Sequence, residues 1–401
     1  MSRAPRVLVV TEYYPRAGDP VLGVWAHRQA LAARQAGADV RVLVLHRPIP
    51  PLSALRALHV RRAWGIVTQP SRAVIDDVPV RYVRYMSPPR PLSYGTWGAW
   101  AAPALRRALA RIRREFAFEL IHAHYAVPSG DAVRRVAPEV PLVISVHGHD
   151  VQGTGAGSPA VRSALGHARL VLANSAGTAT RSAALGAPAT RVVHLGADLA
   201  ALGRRPSMPT LVTVAHLAAR KRHADVIAAL PALAGRHPGL RYVIVGDGPE
   251  RERLGSLAAS LGVAERVEFR GALAPERAAA AARGGTLFVM PSVDEAFGVA
   301  YVEAMAGGVP AIGCAGEDGP SEIAAAGGGI VLVAAREPAA LGAEIDALLS
   351  DGPRLEALGA RARETVARAF TWERCGVETV QAYRAVIAAT AGGPGSLDSQ
   401  P

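Results

Sequence analysis

Short apolar runs rich in Val, Ile and Leu alternate along this chain with longer Ala- and Leu-rich stretches whose apolar positions recur at helical spacing. The short runs predict buried strands, and the long stretches predict helices that cross between parallel strands. In the first half of the chain the predicted strands lie at residues 6–11, 40–45, 80–86, 120–123, 141–146, 170–174 and 191–194. In the second half they lie at residues 210–215, 241–246, 266–270, 286–290, 310–313 and 329–333.

The alternation lapses once, at residues 196–209, where Gly and Pro indicate a linker. We therefore predict an α/β protein of two tandem, Rossmann-like, doubly wound domains at residues 1–200 and 201–371, a division that suits 401 residues. Ligands bind beyond the carboxyl ends of the strands in such sheets, so two facing domains would place their ligand-binding loops around a central cleft. The end of the chain, residues 392–401, is expected to be a disordered tail.

Composition narrows the classes of partner. The formal net charge of +12 favours phosphates, anionic lipid or nucleic acid. Arginines are spread over the whole chain and aromatic residues make up only 5%, so we expect no nucleic acid partner. Cys314 and Cys375 lack metal-ligand spacing and indicate a reducing compartment. No signal-peptide pattern and no apolar stretch of about 20 residues is seen, so the expected location is cytoplasmic.

One stretch, residues 94–118, leaves two interpretations open. It has apolar residues at helical spacing and a basic side. The apolar residues are Leu105, Leu109, Ile112 and Phe116, and the basic ones are Arg106, Arg107, Arg111, Arg113 and Arg114, with Trp97 and Trp100 at the start. Such a helix packs on the first domain's sheet in the commoner case. The other interpretation is peripheral contact with the inner face of an anionic membrane.

Lys221 is the single lysine of the chain, because the other 45 − 1 = 44 basic side chains are arginines. Lysine is a compact ammonium on a flexible stem, so either Lys221 fills a site that rejects the planar guanidinium or it is a chance survivor. It follows the first predicted strand of the second half, and a second loop, with Gly246, Asp247 and Gly248, closes the next strand. Both loops fall where ligands bind to such sheets.

A third loop, in the segment MPSVDEAFGVAYVEAMAGGVPAI, runs from a strand into a helix that begins near Gly298. The free amides of Phe297, Gly298 and Val299 would attract a phosphate. Glu295 could then reach sugar hydroxyls, and Glu303 could accept both hydroxyls of a ribose. The alternative is that both glutamates stabilise the helix start and face solvent.

The segments VAHLAARKRH, VIVGDGPE, VEFRGAL and PSVDEAFGVAYVEAMAGGVPAI resemble the donor domain of GT-B glycosyltransferases of the retaining family 4, and the resemblance extends over essentially the whole chain. It implies an N-terminal acceptor-binding domain, a C-terminal donor domain and a last helix, residues 372–391, that crosses back to the first domain. It also implies that Glu295 holds the transferred sugar and Glu303 the nucleotide ribose.

The same resemblance assigns the donor diphosphate to Lys221 and to an arginine five residues before it. This chain has His216 in that place and Arg222 where glycine is usual. The cationic contact with the diphosphate is therefore expected to rest mainly on Lys221, with Arg220 or Arg222 as candidates to assist.

In the first half, His147 directly follows a predicted strand, and the resemblance implies that it contacts the donor sugar. His149 is a lesser candidate for that contact, and His149 with Asp150 lacks the spacing of metal ligands. Gly18 and Gly23 give backbone freedom to the loop after the first strand, which the resemblance places beside the donor phosphates and the acceptor. His124 is a candidate to face the acceptor, although a core or loop histidine is the commoner case.

The resulting prediction is a glycosyltransferase that moves a hexose-type sugar from a nucleoside-diphosphate sugar to a hydroxyl acceptor, with His147, Lys221 and Glu295 as catalytic residues. The resemblance implies front-side attack with retention, and no metal or other cofactor, because fixed cations stabilise the leaving group. Two alternatives remain: a nucleotide-sugar 2-epimerase of the same architecture, and a nucleotide-sugar-binding protein without turnover. The sequence leaves the donor sugar, its base and the acceptor undetermined.

Overall fold

A computed structural model describes residues 3–17, 19–49, 60–89, 93–152, 156–199, 201–202 and 206–391. Contacts divide the chain into two compact units: the first runs to His194 and resumes at Trp372, and the second spans Leu195–Thr371. Gly18 and the predicted tail at residues 392–401 lie outside the described residues.

The first unit is built on a sheet of eight strands, counted over the described residues. Its strands are β1 (Arg6–Thr11), β2 (Asp39–His46), β3 (Arg72–Ile75), β4 (Val78–Arg84), β5 (Leu120–His124), β6 (Leu142–Val146), β7 (Leu170–Ala173) and β8 (Thr190–Val192). They lie in the order β3-β4-β2-β1-β5-β6-β7-β8, and neighbours are parallel except for β3 and β4. Strands β5, β6 and β7 are buried along their whole length, as expected of central parallel strands.

The antiparallel pair at the sheet edge is absent from our predictions. Asp76 and Asp77 connect β3 to β4, and both have positive φ, 46° and 60°. Two left-handed residues match the twist of a two-residue hairpin, but the usual sequence signal for that turn is Asn-Gly or Asp-Gly. An Asp-Asp pair lacks the glycine, so the hairpin was missed.

Helices cover the sheet of the first unit. They are α1 (Val24–Gln35), α2 (Val60–Val67), α3 (Trp97–Glu115), α4 (Asp131–Val136), α5 (Pro159–His167), α6 (Ala176–Ala184) and the last helix of the chain, α14 (Trp372–Ala391). Helix α3 is the predicted amphipathic stretch. Its Leu105, Leu109 and Ile112 lie in the core, whereas its arginines face solvent. Trp97 is buried, and Trp100 is 51% exposed.

Helix α14 packs closely against helix α1 within the first unit. A Cβ added at Gly376 would lie 2.2 Å from the carbonyl oxygen of Ala32, so only glycine permits this approach. The side-chain amide of Gln29 donates to the hydroxyl of Thr379 over 3.1 Å. The last helix is therefore an integral part of the first unit.

The second unit has a wholly parallel sheet, with six strands among the residues described. These are β9 (Thr210–Val214), β10 (Arg241–Val245), β11 (Val267–Phe269), β12 (Leu287–Val289), β13 (Ala311–Cys314) and β14 (Ile330–Val333), in the order β11-β10-β9-β12-β13-β14. The helices are α7 (His223–Arg236), α8 (Arg251–Ser260), α9 (Pro275–Arg283), α10 (Val299–Met305), α11 (Asp318–Ala325), α12 (Pro338–Ser350) and α13 (Gly352–Ala369).

The predicted strands match the observed ones to within two residues at either end. The prediction of two doubly wound α/β units is thus confirmed. Both cysteines are buried as free thiols. No helix in the described parts of the chain combines the length and the apolar character needed to cross a membrane.

Candidate functional site

A buried ion pair lies at the centre of the second unit's candidate site. The ammonium of Lys221 donates to the carboxylate of Glu295, and both residues are less than 9% exposed. Lys221 ends a short 3-10 turn after β9, and Glu295 lies in the loop between β12 and α10. Since β9 and β12 are neighbouring parallel strands, their carboxyl ends bring the two loops together.

Backbone contacts fix the loop that carries Glu295. The amide of Val293 donates to the carbonyl of Arg220 over 2.8 Å, which ties this loop to the one that carries Lys221. The amide of Glu295 donates to the side-chain carboxylate of Glu317 over 2.7 Å. A Cβ added at Gly319 would lie 2.0 Å from the carbonyl oxygen of Phe297, so α11 begins directly against this loop.

Other polar groups surround the carboxylate of Glu295. The hydroxyl of Ser292 donates to the same oxygen that Lys221 contacts, over 2.9 Å. Arg220 lies 3.8 Å from that oxygen. The hydroxyl of the buried Tyr301 donates to the carbonyl of Met290. The pair is thus held in a polar network, which a buried charge requires.

Burial and the mutual attraction of the two charges have opposite effects on the pKa values of Lys221 and Glu295. Burial raises the pKa of Glu295, but the charge and hydrogen bond of Lys221, with Arg220 and Ser292, outweigh it and leave that pKa below its ordinary value. Burial lowers the pKa of Lys221, and Glu295 only partly offsets this effect. The ammonium and the carboxylate have opposite formal charges, so the pair is internally neutralised.

The backbone conformation of Arg222 accounts for the glycine that the resemblance predicts at this position. Its backbone is left-handed, with φ 56° and ψ 30°, which costs a side-chain-bearing residue roughly 1–2 kcal/mol. Its guanidinium donates to both carboxylate oxygens of Asp225, at 2.8 and 2.7 Å, an interaction that offsets this strain. Arg222 is therefore engaged with Asp225, and Arg220 is the arginine that lies beside Glu295.

The glycine loop after β10 packs directly against the residues that follow β9. A Cβ added at Gly246 would lie 1.9 Å from the carbonyl oxygen of Ala215, and one at Gly248 would lie 2.9 Å from the ring of His216. Gly246 also has φ 135°. His216 and Asp247 are exposed. The structure thus brings His216 together with Gly246, Asp247 and Gly248, as their places at adjacent strand ends predict.

Helix α10 starts where the sequence predicts. Gly298 is its N-cap in a left-handed conformation, φ 83°, with no side-chain cap. A Cβ at Gly298 would lie 2.5 Å from the ring of Tyr301. Phe297 is buried and its ring lies 5.6 Å from that of Phe370. Val299 begins the helix, and Glu303 is half-buried one turn later.

The first unit contains a separate group of polar residues, the histidine cluster His122, His124 and His147. His122 and His124 lie on β5, and His147 directly follows β6. Nδ1 of His124 lies 3.0 Å from Nε2 of His147, and the two rings are almost parallel. His122 bonds the hydroxyls of Ser145 and Tyr383, at 2.8 and 2.7 Å.

Burial keeps all three histidines neutral. It lowers the pKa of His147 to about 3. Burial and the nearby His147 lower the pKa of His122 to about 3. Burial lowers the pKa of His124 well below its ordinary value, with smaller contributions from His122 and His147. Neutral imidazoles can donate and accept hydrogen bonds without carrying charge.

The loops around His147 are held by Asp150. Its carboxylate accepts from the amide of Ala126 and from the amide of His147, both over 3.0 Å. His149 is exposed. In the loop after β1, Gly23 is left-handed, φ 66°, and an added Cβ would lie 2.2 Å from the backbone of Tyr13. Among the described residues no group of three or more His, Cys, Asp or Glu is arranged to hold a metal.

Several contacts of the site were missed from sequence. Ser292 and Glu317 both contact Glu295, and both follow the carboxyl ends of strands. Their positions after strand ends could have indicated these contacts. The bond between His124 and His147 could also have been anticipated, because β5 and β6 are parallel neighbours. The roles predicted for the site residues remain predictions.

Comparison with known proteins gives the family. The model described as Glycosyltransferase Family 4 matches residues 21–201, and the model described as Glycosyl transferases group 1 matches residues 198–365. A D-inositol 3-phosphate glycosyltransferase of Nocardia farcinica is 31% identical over 305 residues, 67% of this chain and 67% of that protein.

Two solved structures show the fold. Sucrose-phosphate synthase from Thermosynechococcus elongatus has a TM-score of 0.78 at 21% identity, over 96% of this chain and 100% of that one. Anabaena HepE in complex with UDP and glucose has a TM-score of 0.70 at 19% identity, over 95% and 100%. The two units thus have the GT-B fold, and the chain belongs to the family 4 glycosyltransferases.

Proposed function

We propose that the protein transfers a hexose-type sugar from a nucleoside-diphosphate sugar to a hydroxyl acceptor, with retention and without a metal. The observation that carries this proposal is the buried contact between Lys221 and Glu295, the two residues to which the resemblance assigns the diphosphate and the sugar. Anabaena HepE, which has the same fold, was solved with UDP and glucose, and this supports a nucleoside-diphosphate donor.

Donor binding must rearrange the ion pair. In this structure the ammonium of Lys221 is neutralised by Glu295. A diphosphate that binds Lys221 takes over this neutralisation, and the carboxylate of Glu295 is then free to accept hydrogen bonds from sugar hydroxyls. Arg220, next to Glu295, and the exposed His216 supply further donors near the diphosphate. The proposed roles of Lys221 and Glu295 are therefore coupled through one contact.

The proposed reaction is a front-side displacement. The bond from the anomeric carbon to the diphosphate oxygen breaks, the acceptor oxygen bonds to the anomeric carbon on the same face, and the acceptor proton passes to the leaving diphosphate. Lys221 stabilises the developing charge of that leaving group, which is the work that a divalent metal performs elsewhere. Phe297, Gly298, Val299 and Glu303 would hold the rest of the donor.

We propose the outer face of α3 as a peripheral membrane contact. Four arginines on this face are exposed near the exposed Trp100: Arg106, Arg107, Arg111 and Arg114. Basic residues with tryptophan suit an anionic bilayer surface. Liposome sedimentation should show binding to anionic vesicles and none to neutral ones, and equal absence in both would refute the contact.

A ligand screen tests the donor assignment. Nucleotide sugars at 100 times their dissociation constant should stabilise the protein by about 2.7 kcal/mol. The shift should vanish in Lys221→Met and persist in Arg236→Met, a control on the exposed Arg236, which pairs with Asp346 in the same unit. No stabilisation by any nucleotide sugar would count against the proposal.

Product analysis tests the chemistry. With donor and acceptor, NMR of the new glycosidic bond should show the donor's anomeric configuration, and EDTA should leave the rate unchanged. An inverted product or loss of rate with EDTA would contradict the mechanism. With donor alone only slow hydrolysis is expected, whereas a new nucleotide sugar would identify an epimerase.

A further inference from the structure

His124 and His147 share a single hydrogen bond whose direction is chemically constrained. The nitrogens that face each other, Nδ1 of His124 and Nε2 of His147, are 3.0 Å apart. A neutral imidazole carries one N–H and one bare nitrogen. One proton must therefore lie between the rings, and its position determines the tautomer of both residues.

The two arrangements differ in which outer nitrogen of this histidine pair carries the remaining N–H. Nε2 of His124 and Nδ1 of His147 are both buried and have no hydrogen-bond partner among the described residues. If His147 donated, Nε2 of His124 would carry a buried N–H with nothing to accept it. His124 is 0% exposed, so no ligand could reach that donor without displacing the core.

Either direction leaves one outer nitrogen as a buried N–H and the other bare, and when His124 donates, the bare nitrogen is Nε2 of His124. The remaining N–H then lies on Nδ1 of His147. His147 is half-buried, and its ring borders those of Trp25 and Tyr125, 6.1 and 5.0 Å away. Nδ1 of His147 is itself buried, but His147 as a residue is half-buried whereas His124 is 0% exposed, so a ligand reaches this N–H with the smaller rearrangement.

We propose that His124 is a positioning residue: its Nδ1–H donates to Nε2 of His147, fixes the ring and holds His147 as the Nδ1–H tautomer. This inference rests on the proposed function in one respect, because His147 is expected to contact the donor sugar. A fixed tautomer presents one donor, in one direction, to an oxygen of that sugar. Loss of such an orienting contact costs about 10- to 100-fold in rate.

The test combines spectroscopy with kinetics. In the free wild-type protein, 15N NMR of the imidazoles should show a protonated Nδ1 and a bare Nε2 for His147. The pattern should be kept in His124→Asn, whose amide can donate from the same place, and lost in His124→Leu. With donor and acceptor, His124→Leu should lower kcat about 10- to 100-fold with a smaller change in KM, and His124→Asn should recover most of the rate.

The outcomes separate this inference from the proposed function. A protonated Nε2 on His147 in the wild type overturns the inference even if His124→Leu fails to fold. An unchanged tautomer in His124→Leu overturns it as well. If the tautomers behave as expected but no nucleotide sugar reacts, the proposed function fails while the positioning of His147 stands. His237, bonded to Asp346 in the second unit, is the internal reference whose signals should not move.

Discussion

The two units hold buried polar groups in opposite ways. In the second unit, Lys221 and Glu295 are buried as a charged pair, and each depends on the other for neutralisation. In the first unit the histidine cluster is buried without charge, because desolvation holds the pKa of each imidazole low. The stability that the charged pair contributes is expected to be sensitive to the loss of one partner and less sensitive to acid. The stability that the neutral cluster contributes is expected to be more sensitive to acid than to a local substitution.

The largest effect is expected from Lys221→Met, which breaks the charged pair. It leaves the carboxylate of Glu295 buried without its main partner, and removing one partner of a buried pair costs about 3–5 kcal/mol. The double variant Lys221→Met/Glu295→Gln should regain most of the lost stability, but no turnover. Hydrogen exchange of the β9 amides measures this effect, and equal stability of the single and double variants would show that the pair is not strongly coupled.

Lys221→Arg tests whether the pair requires an ammonium or only a positive charge. It keeps the charge but puts a planar fork in a pocket shaped for an ammonium. Most turnover should be lost while the fold is retained, as circular dichroism would show. Full activity would mean that any cation suffices there.

Mild acid should act more strongly on the first unit, although burial also lowers the pKa of His223 in the second unit, to about 4. The pKa values of His122 and His147 are about 3 in the folded state, against an ordinary 6.5, so the unfolded chain binds more protons between these limits. The contribution of these two neutral histidines to the stability of the fold is fully present above pH 6.5 and is lost as the pH falls below it. At pH 5 the loss is roughly 2 kcal/mol for each of the two histidines.

Tryptophan fluorescence can follow this loss in one unit alone. All five tryptophans lie at positions that belong to the first unit. Denaturant midpoints read by fluorescence should therefore fall between pH 7 and pH 5, and His122→Gln should make the fall shallower. Fluorescence midpoints that do not fall between pH 7 and pH 5 would contradict the contrast.

Ser292→Ala should weaken the charged pair without breaking it. It removes the hydroxyl that donates to Glu295 over 2.9 Å. Hydrogen bonds to charged groups contribute about 1.5–3 kcal/mol, and the lower value suits a carboxylate that keeps Lys221. The pKa of Glu295 should rise, because a bond to its charged form is lost. An NMR titration of the carboxyl carbon checks this, and an unmoved pKa would refute it.

Arg236→Met gives the smallest effect and calibrates the others. Arg236 is an exposed partner of Asp346 in the same unit as Lys221. Exposed pairs contribute about 0.2–1 kcal/mol. A loss as large as that of Lys221→Met would mean that burial does not decide the strength of ion pairs in this unit.

The sequence predicted most of this architecture because continuous apolar runs are strong signals for central parallel strands. It also predicted that Lys221 and Glu295 lie at the same sheet edge, since both follow strands. The β3–β4 hairpin escaped prediction because Asp76 and Asp77 lack the usual turn glycine. The left-handed Arg222 escaped because its strain is offset by Asp225, a contact visible only in three dimensions.

The histidine cluster shows a different limit of sequence reasoning. Each of its residues is a histidine near the end of a predicted strand, and the sequence makes His124 a candidate to face the acceptor. Its complete burial and its bond to His147 depend on how β5 and β6 pair, which single residues do not encode.

The contact between Lys221 and Glu295 makes the carboxylate a tethered competitor for every anion that approaches the ammonium. A tethered group competes at an effective concentration that can reach the millimolar range. Inorganic phosphate that displaced Glu295 would leave a buried carboxylate without a partner. A ligand that carries both a diphosphate and sugar hydroxyls satisfies both groups at once, so the ion pair selects against fragments of such a ligand.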